Sequence, residues 1–200
     1  MTGSDFAADL GEARTILLKA PPMSGRTDEV CADLLAVDDP GETSVLWVSF
    51  TTPAPQCLAE WRAHHDVDPA AYGVIAVGDT PGAGAADDLD PAVVESISTP
   101  SDLTGIGIAV GEFLADMDGP VAVCVDSLTA LLQYVDVETA YEFLHALTGR
   151  LNNAGAVAHF HVDPHAHDER TVDVLLSLFD AEVDLSGDTP TARSRRPITD

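Results

Sequence analysis

The chain has 200 residues, 46% of them hydrophobic, and sets 34 acidic side chains against nine Lys and Arg for a formal net charge of −25. That size and apolar content suit one ordinary domain with no need of metal or disulfide staples, and the charge excludes nucleic-acid binding through a broad basic face, which requires clustered Lys and Arg. A folded domain tolerates such self-repulsion where multimolar salt shortens the Debye length to a few ångströms and hydrated carboxylates keep the surface wet, so the composition reads as that of a cytoplasmic protein of an extreme halophile.

The opening "MTGSDFAADLGEA" has neither a charged n-region nor an apolar h-region, and no apolar run approaches the ~18 residues of a membrane span, so neither a signal peptide nor a membrane span is expected. A strand "TILLKA" (15–20) leads through "PPMSGRTDEVC" into a helical stripe of Val30, Leu34 and Val37. "SVLWVSF" (44–50) is the second strand, and Leu58 and Trp61 mark a short helix behind "TTPAPQ". "GVIAVG" (73–78) is the third, followed by "DTPGAGAADDLDPA" (79–92), whose Gly, Ala, Pro and Asp read as a flexible surface excursion. A cap in "TPSDLT" precedes the stripe Ile106, Val110, Phe113, Leu114 and Met117, and "PVAVCVD" (120–126) is the fourth strand. Helix 137–151 buries Val137, Ala140, Tyr141, Leu144, Leu147 and Leu151 and stops at Asn153 and Gly155. "GAVAHFHV" (155–162) is the fifth strand, a helix through Val172, Leu175, Leu176 and Phe179 follows Asp168, and "AEVDLS" is a sixth strand.

Near-continuous apolar strands alternating with helices specify a three-layer α/β domain with a mostly parallel central sheet. We expect one domain over residues 1–185, with 186–200 a disordered C-terminal tail. Ligands of such sheets sit at the carboxyl ends of the strands, which directs attention to the loops after 20, 50, 78, 126 and 162.

The first of these loops compares with G-x-x-x-x-G-K-[ST], whose backbone N–H groups close on phosphate, whose lysine reaches the outer oxygens and whose hydroxyl ligates Mg²⁺. Gly25 and Thr27 match, while Ala20 replaces the first glycine and Arg26 the lysine. Ser24, Gly25, Arg26 and Thr27 would lie at a helix N-terminus that favours anions. Alone, the stretch reads equally as a phosphate loop or as a strand-to-helix turn with an exposed arginine. Asp126, at the tip of a buried strand on the same side of the sheet, is placed as an acid that holds the hydration shell of Mg²⁺, or as the cap of "SLTALL".

"VCVDSLTALLQY" and "LNNAGAVAHFHVD", each followed by a helix, together with "VSFTTPAPQCLAEW", resemble the KaiC-like branch of the RecA-superfamily P-loop ATPases, in a degenerate haloarchaeal form, across about residues 15–185. The resemblance implies a RecA-like P-loop NTPase fold and a nucleotide pocket bounded by residues 20–27, Asp126 and the strand end at 156–161. It also exposes departures: Arg26 for lysine, Thr51 and Thr52 where the family often has a glutamate pair, and Ala20 and Met23 in an eroded glycine-rich approach. Arginine keeps the charge, but its planar fork does not fit a cradle built for an ammonium. Threonine cannot act as general base, a loss of about 10²–10⁴ in rate. The expectation is a regulatory or protein-interaction module, a pseudo-ATPase that binds ATP or another nucleotide with Mg²⁺ weakly or not at all, works with a protein partner or as a homo-oligomer, and is cytoplasmic. The alternative is an active ATPase in which Arg26 holds phosphate and Asp79 or Glu60 serves as base; Arg62, Arg150 and Arg170 are the arginines left for a finger across an interface.

"HFHVDPHAHDE" gathers four of seven histidines and puts His159, His161 and Asp163 on one side of an extended strand, a ligand set for a divalent ion under a weaker, His-dependent metal-binding reading. The spacing matches no closed-site pattern, and a buried structural histidine or a polar loop explains it as well; under the resemblance His161 borders the γ-phosphate position as a sensor-like group. His64 and His65 end a helix, where they suit its dipole. Cys31, Cys57 and Cys124 lack CxxC spacing and read as buried free thiols in a reducing compartment. Ser127 lacks a G-x-S-x-G setting, which argues against nucleophilic catalysis.

Overall fold

A computed structural model describes residues 9–22, 25–37, 39–78, 93–187 and 189–195. The strands are β1 (Thr15–Lys19), β2 (Ser44–Ser49), β3 (Ala71–Val77), β4 (Val93–Ile97), β5 (Val121–Asp126), β6 (Val157–Val162), β7 (Ala181–Asp184) and β8 (Thr191–Ser194). They form one sheet in the order β4-β3-β2-β5-β6-β1-β7-β8, parallel throughout except for the antiparallel β7–β8 pair. The helices are α1 (Thr27–Leu35), α2 (Ala54–His64), α3 (Leu103–Asp116), α4 (Leu128–Leu131), α5 (Val137–Asn153) and α6 (Glu169–Leu176).

Side chains alternate across each strand, so an apolar strand in mid-sheet feeds two cores at once. Leu17, Leu46, Val48, Val123 and Phe160 face one layer and pack with Ile106, Val110 and Phe113 of α3, Leu144 and Leu151 of α5, and Val172 and Leu175 of α6. Val45, Trp47, Ala122 and Cys124 face the opposite layer, under Leu35 of α1 and Cys57, Leu58 and Trp61 of α2. Ile16 and Leu18 meet Val30 and Leu34 of α1 on that side, along with Val183 of β7. These are the three layers expected from sequence. Asp180, 7% exposed, accepts hydrogen bonds from the backbone N–H groups of Arg14 (3.1 Å) and Thr15 (3.2 Å) and so fixes the start of β1.

Three helices begin at an aspartate N-cap. Asp102 accepts from Gly105 N (2.9 Å), Asp136 from Thr139 N (2.8 Å) and Asp168 from Thr171 N (2.8 Å), each satisfying one amide that has no partner inside the helix. A Cβ at Gly105 would lie 2.6 Å from Asp102 Oδ2, so a side chain there would push the capping carboxylate aside.

The structure departs from the sequence expectations at the ends and edges. The first helix stops at Leu35 and leaves Val37 37% exposed, because a turn on Asp39 follows, with its carbonyl accepting from Glu42 N (2.9 Å) and Thr43 N (3.1 Å). β4 and β8 went unread because edge strands are short and half polar, and their order comes from backbone pairing rather than from an apolar face. β8 falls within 186–200, the stretch expected to be a disordered tail. Its residues Thr191–Ser194 instead pair with Asp184–Ala181, Arg195 N donates to Asp180 O (2.7 Å), and the Arg195 guanidinium reaches Leu176 O. The surface excursion at 79–92 lies outside the described residues.

Candidate functional site

The carboxyl ends of β1, β2, β5 and β6 open into one cleft of about 530 Å³, within the range of small-molecule sites. Gly25, Thr27, Asp126 and His161, four of the residues singled out from sequence, line it together, with Asp163 beside them. Ser24 lies outside the described residues. Arg26 is not among the described lining residues; its guanidinium is turned to Gly187 O, 3.5 Å away.

Asp126 ends β5 and is gripped from β2. Ser49 Oγ accepts the amides of Thr51 (3.4 Å) and Thr52 (2.8 Å), and this tight turn aims both hydroxyls at Asp126 Oδ2, which accepts from Thr51 Oγ1 at 2.7 Å and Thr52 Oγ1 at 3.3 Å. The two threonines therefore act as donors toward a carboxylate. Sequence reasoning missed Asp28, which follows Thr27 into the cleft, and Thr129, whose Oγ1 accepts from Asp163 N (2.9 Å) and lies 3.2 Å from His167 Nε2. Asp28 and Glu29 occupy the first turn of α1, so acidic side chains already answer the positive end of its dipole.

Three carboxylates, Asp28, Asp126 and Asp163, thus surround the cleft, and no Lys or Arg is among the described residues lining it, where His161 is the basic side chain. The cations are held elsewhere: Lys19 Nζ lies 2.7 Å from Glu182 Oε2, Arg62 makes two 2.7 Å bonds to Asp68, and Arg150 donates to Gly107 O. Glu60, named as an alternative base, is not a described lining residue. Burial raises its carboxyl, against a 2.7 Å hydrogen bond from Gln56. Asp79, the other alternative, lies outside the described residues.

Behind the cleft, on the α1–α2 side of the sheet, four side chains converge. Strand alternation puts His159 and His161 on the same face, Cys124 is the register partner of His159, and Cys31 descends from α1 one turn beyond Thr27. Cys31 Sγ lies 3.2 Å from His159 Nε2 and 3.8 Å from Cys124 Sγ, and Cys124 Sγ lies 3.5 Å from His161 Nε2. Hydrogen bonding with Cys124 pulls Cys31 well below the ordinary thiol range despite burial, helped by the facing His159, and pushes Cys124 above it. Burial opposes a charge on His161, yet Cys31 raises it above the usual imidazole value. Asp163, expected beside His159 and His161 as a ligand, is not part of this cluster; past the end of β6 it turns into the cleft and accepts from His165 N (2.9 Å). Alternation holds only while the strand stays extended, and β6 ends at Val162.

The doubly covered, mostly parallel sheet with its crevice at the strand ends is a RecA-like α/β fold. The same fold occurs in the Pyrococcus horikoshii OT3 protein PH0250, at 15% identity and TM-score 0.64 over 98% of this chain and 94% of that one. It also occurs in uncharacterized protein PH0321 of P. horikoshii, solved with an unknown peptide, at 11% identity and TM-score 0.60 over 96% and 89% of the two chains. The flagellar accessory protein FlaH of Methanocaldococcus jannaschii is similar at 13% identity and TM-score 0.56, over 98% and 85%. Identities this low speak for the fold alone, and a fold shared with 105 matching chains does not select an activity.

Residues 13–185 match the model of a family of unknown function, DUF7504, and the chain belongs to that family. No curated protein sequence matches it. Among the described residues, no helix is long and apolar enough to cross a membrane.

Proposed function

We propose that this protein is a catalytically degenerate member of the RecA-like, KaiC-like group, a regulatory or protein-interaction module that does not turn over ATP. The observation that carries this reading is the charge of the cleft: Asp28, Asp126 and Asp163 line it without a described Lys or Arg, while Arg26 reaches toward Gly187.

The described residues of the cleft offer oxygens that suit Mg²⁺ but no Lys or Arg for the outer phosphate oxygens of a nucleoside triphosphate. A polyphosphate needs positive charge at its outer oxygens, and a unit like-charge pair at about 4 Å costs on the order of 4 kcal/mol at an effective dielectric constant of 20. A helix N-terminus returns only about 0.3–1 kcal/mol, and Asp28 and Glu29 already occupy its first turn. Thr51 and Thr52, at the positions where related ATPases carry their base, offer donors to Asp126 rather than an acceptor for a water proton. What remains is a well-packed scaffold whose surface a protein partner, or another copy of the chain, can read.

Calorimetry and phosphate release with Mg-ATP in multimolar KCl test the reading. The expected result is weak or no binding and no hydrolysis above background, unchanged by Asp126→Ala. Sustained turnover that this substitution abolishes would overturn it in favour of an ATPase with an altered loop.

A further inference from the structure

We propose that Cys31, Cys124, His159 and His161 form a tetrahedral Zn²⁺ site that clamps α1 to β5 and β6. The four donor atoms, two sulfurs and two imidazole nitrogens, all lie within 4.8 Å of one another. Zinc with Zn–S of about 2.3 Å and Zn–N of about 2.0–2.1 Å places tetrahedral ligands ~3.8 Å apart for S···S and ~3.5 Å for S···N. The observed Cys31–Cys124 separation is 3.8 Å, and the two Cys–His separations are 3.2 and 3.5 Å, so three edges of the tetrahedron already stand close to their final lengths.

The chemistry selects the ion. A closed S₂N₂ set suits zinc, whereas hard ions such as Mg²⁺ and Ca²⁺ prefer the oxygens that line the neighbouring cleft. Two thiolates neutralise the divalent charge, which removes the cost of burying it. His159 is 1% exposed, Cys124 3% and His161 9%, and Cys31 is half-buried, so three buried polar groups and a fourth beside them sit against core residues such as Trp47 and Leu35. No water-sized open position is needed, since all four ligands come from the chain, which marks a structural rather than a catalytic centre.

The ligands come from three elements far apart in sequence, and only the tertiary fold joins them. The site ties the helix that follows the loop at residues 20–27 to the strands carrying Asp126 and His161, and so holds the floor of the cleft. It does not depend on the reading of the cleft as inactive, because it would bind metal with or without nucleotide.

The test uses the full chain without a histidine tag, reduced, exposed to Zn²⁺ and desalted, with metal measured by plasma mass spectrometry. One zinc per chain is expected, falling below about a tenth in Cys31→Ser and in Cys124→Ser and unchanged in Asp163→Asn. Wild-type protein loaded with Co²⁺ should show the intense visible bands of tetrahedral thiolate coordination. Chelation of the wild-type protein should lower Tm by at least ~5 °C, a readout that does not rely on any variant folding. No metal above background, whether the thiols are free or joined, overturns the proposal. Metal that survives both cysteine substitutions but is lost in Asp163→Asn overturns it as well, since the ion would then sit in the acidic cleft.

Discussion

Trp61 shows how a single side chain can anchor a layer. It is 1% exposed, meets Trp47 edge to face with centroids 6.5 Å apart, lies 4.3 Å from the His65 ring, and donates its indole N–H to Val67 O at 2.8 Å. Trp61→Ala should therefore cost about 3–5 kcal/mol, the range for emptying an aromatic core position. Trp61→Phe should cost less, about 1–3 kcal/mol, because the ring still packs while the Val67 carbonyl loses its donor. Urea denaturation in high salt checks both; equal losses would mean that packing matters little beside the hydrogen bond. At the same scale the sequence identified Thr27 and Asp126 by residue type and position, but it could not say which way Arg26 turns. A guanidinium on a long side chain is directed by its neighbours, and Gly187 is 161 residues away.

At the scale of elements, helix starts were legible because they are local. Asp136 and Asp168 stand immediately before their helices, and each accepts an amide three residues on. Those backbone hydrogen bonds favour the ionised form and hold both carboxyls below the ordinary aspartate value of 3.8, with Thr139 the main partner of Asp136 and Thr171 of Asp168. A carboxyl whose folded pKa is depressed contributes stability that is present above its unfolded pKa and is lost as pH falls through the folded one. The caps should thus weaken as pH drops below about 3.8. Asp136→Asn, Asp168→Asn should keep the capping geometry while flattening the acid limb of a Tm-versus-pH curve; an unchanged slope would remove the caps as its source. Edge strands behaved oppositely. β8 reads as polar tail because its order comes from pairing with β7, and nothing in "TARS" announces a partner.

The whole molecule carries a charge of −25, and most of it is exposed. Raising KCl from 0.1 to 1 M shortens the Debye length from about 10 to about 3 Å, which screens repulsion that opposes the compact state. Tm should climb steadily across that range, while an uncharged osmolyte at matched osmolarity should not reproduce the full rise. A flat response to KCl would separate the acidic composition from any requirement for salt.

By itself, the sequence determined the layer architecture, the succession of apolar strands and helices along the chain, and the end of the sheet at which the cleft opens. All of these rest on periodicity and on residues within a turn of one another, which short-range physics governs. Only the tertiary structure decided the charge of the cleft and the company of the histidines. Asp28, Asp126 and Asp163 come from three separate parts of the chain, and the Arg26 guanidinium lies 3.5 Å from Gly187 O. Cys31, Cys124, His159 and His161 meet because a crossover helix lies across two parallel strands, a contact whose sequence separation reaches 128 residues between Cys31 and His159. Two of three thiols without a motif joined a cluster through register and burial, which no local pattern encodes.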